Sequence, residues 1–129
     1  MQLMVEVSVG EVIDKITILE IKSRRMADAE KLRNVRAELD TLNASLAAAL
    51  TPSAEIDRLR GQLYDINAAL WDIEDDIRIC ESKGDFGPKF IELARSVYVT
   101  NDRRATVKKQ INLAAGSRLV EEKSYAGSL

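Results

Sequence analysis

Leu3, Val5, Val7 and Val9 alternate with Met4, Glu6 and Ser8, which is the period of a strand. A lone strand leaves its backbone groups unsatisfied, so it calls for a second extended piece. The only other segment of that kind follows Gly116, around Leu119 to Tyr125. The termini are therefore expected to pair with each other or with a second subunit.

The rest of the chain has helical periods. Ser8-Val9-Gly10-Glu11 is a capping-box pattern and opens helix 1. Val12, Ile13, Ile16, Ile18, Leu19 and Ile21 make that helix apolar on nearly all sides, as in a helix surrounded by others. Arg24 and Arg25 fall in its last turn, where cations suit the helix dipole. Asp28 is a good N-cap for helix 2, which is expected to run to about Leu50.

Leu32, Val35, Leu39, Leu42, Leu46 and Ala49 step by 3 and 4, and so do Leu59, Leu63, Ile66, Leu70, Ile73 and Ile77 in helix 3. Thr51-Pro52-Ser53 separates the two runs. Folding there sets Leu46 near Leu59, Leu39 near Ile66 and Val35 near Leu70. The heptad period predicts a left-handed antiparallel hairpin of helices 2 and 3. Tyr64, Ala68 and Trp71 form a second apolar face on helix 3, to be covered by helix 4 or by a partner subunit. Gly84, Asp85 and Gly87-Pro88 end helix 3 and start helix 4, and Gly116 suits its C-terminal cap. Val99-Thr100-Asn101-Asp102 is a potential break within helix 4.

Helix 4 carries the main irregularity. Phe90, Ala94 and Val97 open an apolar stripe that continues onto Asn101, Arg104 and Lys108 before returning to Ile111 and Ala115. Unpaired buried charge is costly, so these polar groups either meet partners inside the fold or line a site. Glu20 falls between Ile13 and Ile16 on the helical wheel. It is the expected partner of Arg104 and Lys108, as a structural ion pair or as part of a small-anion site with Asn101.

Asp72, Asp75 and Asp76 share one helix surface, which suits a hard cation such as magnesium, a solvated face, or pairing with Arg95 and Arg103. All-helical nucleotide pyrophosphatases carry Glu-x-x-Glu followed by Glu-x-x-Asp. Here Glu11-Val12-Ile13-Asp14 supplies the second pattern and the first is missing. Asp14, Ile18, Ile21 and the Arg24-Arg25 pair resemble the first helix of the all-helical chorismate mutases, which converge cations on a dicarboxylate. The upstream cation of that family is absent, and Arg104 and Lys108 would have to replace it. Glu121-Glu122-Lys123-Ser124-Tyr125 reads as a frayed tail or as a segment docked on the N-terminal strand.

Composition narrows the chemistry. With 129 residues the chain is expected to form one helical domain over 1–129. Charged residues make up 31% yet the net charge is -2, which argues against general nucleic-acid binding. There is no His, which removes imidazole catalysis and His-metal sites, and the single Cys80 removes an intramolecular disulfide and a Cys-cluster zinc site. Cys80 ends the heptad seam and reads as a buried, inert thiol. No signal peptide or long apolar run stands out, so the expectation is a cytoplasmic protein without membrane attachment or cofactor.

With these residues in view, the chain resembles a bacterial family of small helical proteins known as a domain of unknown function. The resembling segments are Val9-Gly10-Glu11 running into Asp14 to Lys22, Ala69 to Glu74, Phe90 to Tyr98, Thr100 to Ala105, and Glu121 to Tyr125. The resemblance implies an architecture and no chemistry. The fold expected is all-α: a coiled-coil-like hairpin of helices 2 and 3 packed with helices 1 and 4, with short extended termini. The function expected is a non-enzymatic interaction module forming a homodimer, with Tyr64 and Trp71 or the termini at the interface. The alternative is a small-anion-binding protein or enzyme using Glu20, Asn101, Arg104 and Lys108.

Overall fold

The computed structural model describes residues 1–127. It is all-α, with α1 Val9–Arg25, α2 Ala29–Ala49, α3 Ala54–Ser82 and α4 Pro88–Ala115. The helix boundaries follow local chemistry. Ser8, Asp28 and Ser53 cap α1, α2 and α3, each side chain accepting a backbone N–H at 3.0–3.2 Å. Gly84, at φ 65°, turns the chain out of α3, and Pro88 sits in the first turn of α4. Gly116 closes α4 in the left-handed region, at φ 65° and ψ 33°, where a side chain is disfavoured. Val99 to Asp102 does not break α4, which runs unbroken through them.

The four-helix, all-α class is as expected, but the pairing of helices needs a correction. The long hairpin is α3 folded back on α4, and α1 packs against all three other helices. α2 lies on α1, while α2 and α3 do not run side by side. The expected neighbours Leu39–Ile66 and Val35–Leu70 are therefore not formed. The two helices come near each other only around their connection, where Leu46 and Leu50 pack against the cluster that contains Ile56 and Leu59. The physical reason lies in α1. Its Ile13, Ile16, Leu19 and Ile21 are all almost fully buried, so it needs apolar neighbours around it, and α2 and α3 supply them from different sides.

The core holds Ile13 of α1, Ile56, Leu59, Leu63 and Ile66 of α3, and Val107 and Ile111 of α4. Full burial of one such side chain contributes about 1.5–3 kcal/mol before entropy is counted. Its α3 and α4 members lie toward the start of α3 and the end of α4. Between Asn67 and Cys80 no residue of α3 is buried, and none of α4 is buried before Thr100. The far half of the α3–α4 hairpin is thus an arm that buries Cys80 but contributes nothing to the core cluster.

The terminal strands are the second correction. No strand forms among the described residues, and Leu3, Met4 and Val5 are largely exposed. The termini still meet: Arg118 pairs with Glu6, and the Val9 N–H donates to Ser117 Oγ at 3.3 Å. Alternation alone cannot make a ladder where the opposing segment offers a side-chain ion pair in place of a matched row of backbone groups. No helix among the described residues is long and apolar enough to cross a membrane.

Candidate functional site

The two cations of the α4 stripe meet carboxylates of α1, Arg104 on Asp14 and Lys108 on Glu11, and neither meets Glu20. Gly10, Asp14 and Thr17 step by 4 and 3 along α1 and are all buried. They form a small and polar seam against which α4 runs antiparallel. At one end Asn112 Oδ1 accepts the Gly10 N–H at 2.6 Å. At the other, Arg104 grips Asp14 with two parallel bonds, Nε to Oδ1 at 2.9 Å and Nη2 to Oδ2 at 2.5 Å. This fork is the strongest geometry available to a carboxylate.

Asp14 is only 2% exposed, and Asn67 of α3 completes its shell. Asn67 Nδ2 donates to Asp14 Oδ1 and to Thr17 Oγ1, both at 2.9 Å. Thr17 in turn donates to the Asp14 carbonyl at 2.7 Å. The cluster therefore ties α1, α3 and α4 together through one carboxylate.

Lys108 lies one turn further along α4 and is buried. Its ammonium donates to Glu11 Oε2 and to Glu121 Oε2, each at 2.7 Å, with Asp14 Oδ2 at 4.0 Å. Glu11 thus turns away from the reciprocal arm of its capping box and toward α4. The tail is laid along α4 by charge: Glu121 on Lys108, Glu122 on Lys109 at 3.1 Å, and Lys123 on Asp102. The expected docking of Glu121 to Tyr125 on an N-terminal strand gives way to docking on α4, because that helix presents the cations.

Both cations are held in the charged form. Hydrogen bonding to Asp14 raises the Arg104 guanidinium further above its ordinary value, against the pull of burial. For Lys108, burial works to lower the ammonium, but the bonds from Glu11 and Glu121 and the Asp14 charge outweigh it and the net direction is upward from 10.5. A folded value above the unfolded one gives stability that is fully present below about pH 10.5 and is lost as pH rises through the folded value. Thermal melts from neutral to strongly alkaline pH should therefore fall more steeply for the wild type than for Lys108→Met. Parallel curves for the two proteins would show that the ammonium contributes nothing in the fold.

The remaining expected site residues fall elsewhere. Glu20 pairs with Arg60 of α3 at 3.2 Å and takes no part in the Asp14 cluster. Asn101 accepts only a long contact, 3.4 Å, from Arg104 Nη1. Asp72 is bound to Arg25 at 2.7 Å, not to Arg95 or Arg103, while Asp75 and Asp76 are exposed. No group of three His, Cys, Asp or Glu among the described residues comes together in a way that could hold a metal ion. Arg24 donates to Tyr64 Oη at 2.6 Å and lies 5.2 Å over its ring, and Arg25 lies 6.0 Å over Trp71. The second face of α3 is thus covered in part by the end of α1. It also follows that Arg24 and Arg25 do not converge with Arg104 and Lys108, as the chorismate-mutase likeness would require. Cys80 is buried and free.

These features define a small all-helical protein whose inward cations are neutralised by its own carboxylates. The family model described as Family of unknown function (DUF6165) matches residues 3–129, and the chain belongs to that family. No curated protein and no solved structure is significantly similar to it.

Proposed function

We propose that this protein is a non-enzymatic assembly module that acts as a homodimer through the α3–α4 arm. One observation carries the reading: the arm contributes nothing to the core cluster, yet Ile79, Phe86, Ile91, Tyr98 and Val99 along it are each about half exposed. Ile91 and Val99 share one face of α4 with Glu92 and Arg95, and an apolar face flanked by charge is typical of an interaction site.

The pattern on α4 favours a second copy as the occupant. Pro88, Ile91, Glu92, Arg95, Ser96 and Val99 line one shallow groove along the helix. A two-fold axis passing between Leu93 and Ala94 would set Pro88 against Val99 of the second copy, and Glu92 against its Arg95. Such a surface is complementary to itself, as an isologous interface requires. The internally paired Asp14 cluster supports an architectural role for the polar stripe, since no buried side-chain polar atom among the described residues lacks a partner.

Sedimentation of the wild type at micromolar concentration should show a dimer. Glu92→Arg places like charges together twice, which costs several kcal/mol and raises Kd by roughly 100-fold. Adding Arg95→Glu to it should restore the dimer. A monomeric wild type, or a double variant that stays dissociated while folded, would reject this reading.

A further inference from the structure

A cleft of about 510 Å³ opens between α1, α3 and α4 on the far side of Arg104 from Lys108. Its size lies within the range of small-molecule sites, which often form between helices of a bundle. Ile18, Ile21 and Leu70 give it apolar walls, and Trp71 adds an aromatic ring. Glu74 and Arg78 stand on the α3 side and pair with each other at 3.3 Å, while Asp75 beside them is exposed.

Two cations border this cleft with bonding capacity unspent. Arg104 commits Nε and Nη2 to Asp14, which fixes its plane, and Nη1 has only the 3.4 Å contact with Asn101. Lys22 makes no ion pair or hydrogen bond through its ammonium among the described residues. The two open donors belong to cations, and a carboxylate is the group that satisfies both.

From this juxtaposition we infer that the cleft is a binding site for a small planar carboxylic acid. Its carboxylate meets Lys22 and Arg104 Nη1, and its apolar body packs against Trp71 and the aliphatic wall. Arg104 is then a positioned cation: Asp14 orients it and leaves one edge for the ligand. The cleft lies at the base of the arm and shares no residue with the α4 groove proposed for the dimer, so the two proposals are tested separately.

Trp71 is the only tryptophan in the chain, so its emission reports on the cleft directly. Sodium benzoate should quench or shift that emission saturably, with a Kd of about 1 mM or tighter, within reach of a ligand of this size. Sodium acetate offers the charge without the ring, and benzyl alcohol the ring without the charge; neither should saturate in the same range. Lys22→Ala, on a half-buried side chain without partners, should keep the fold and weaken benzoate about tenfold. A flat titration with benzoate would overturn the site. So would equal binding of benzyl alcohol, or unchanged benzoate affinity in folded Lys22→Ala. Because both readouts are taken from the folded chain in one buffer, its sedimentation state does not enter the result.

Discussion

Replacing Asp14 by Ala should destabilise the protein by about 3 kcal/mol, read as a lowered midpoint in urea unfolding. The reason is the asymmetry of buried pairs: removing one partner strands the other, at a cost of roughly 3–5 kcal/mol when both are buried. Here the carboxylate is 2% exposed while the Arg104 side chain is 29% exposed. Arg104 regains some water when Asp14 is lost, which places the effect at the low end. Lys108 keeps Glu11 and Glu121, so it is not stranded with it. Asn67 loses its carboxylate acceptor and keeps Thr17.

The double variant Asp14→Ala with Arg104→Met tests the mechanism rather than the magnitude. If the loss comes from a stranded cation, removing that cation should return a good part of the stability, since an apolar replacement of a whole pair is often near neutral. Additive losses in the two single variants and the double would mean the two residues do not act as a pair. That outcome would also remove the positioning role of Asp14 toward the α1–α3–α4 cleft.

Gly10→Ala should cost a similar amount, about 3 kcal/mol, at the upper end of the usual overpacking range. A Cβ at position 10 would sit 2.5 Å from the Lys108 carbonyl oxygen and 2.8 Å from Asn112 Oδ1. The first obstacle is backbone, so it cannot swing aside as the end of a long side chain would. α1 and α4 would have to separate, stretching the Gly10 N–H to Asn112 bond and loosening the Asp14–Arg104 fork one turn away. An alanine variant with an unchanged unfolding midpoint would show that the two helices are not in close approach. Gly61, whose Cβ position meets nothing within 4 Å beyond its own stretch of helix backbone, is the matched control. Alanine there should be neutral or slightly stabilising, as helix propensity predicts.

The two glycines are indistinguishable as letters, and that contrast runs through the whole molecule. Capping residues were legible because their chemistry is local: Ser8, Asp28, Ser53 and Gly116 act on backbone groups within a few positions of themselves. Helix α1 was legible as a surrounded helix from its apolar residues alone. The irregular stripe of α4 was also legible as polar groups that need partners. A helical wheel points to Glu20 as the partner, because Glu20 sits closer to the centre of the apolar face. A wheel does not say which neighbour lies over which part of a helix. Glu20 turns to Arg60 on α3, while the seam toward α4 is Gly10, Asp14 and Thr17. A small residue followed at helical spacing by two small polar ones was the available signal, with Asn112 answering Gly10 and Arg104 answering Asp14.

The heptads of helices 2 and 3 misled for a related reason. A repeat of 3.5 residues marks a face that wants burial and is silent about what buries it. Two such repeats joined by a short turn suggest each other as partners, yet α1 competes for both surfaces. Three nearly enclosed turns of Ile and Leu can be covered only by several helices at once, and that demand outweighs a two-helix zipper.

By itself, then, the sequence determined the helices, their ends, the all-α class and the presence of an internal charge problem, since each depends on periodicity, on backbone capping or on the cost of burying charge. Only the tertiary structure decided that α4 is the hairpin partner of α3, that Asp14 answers Arg104, and that the far arm contributes nothing to the core cluster. Those outcomes depend on which of several compatible surfaces meet, a choice set by the sum of packing over the whole chain and written in no single segment.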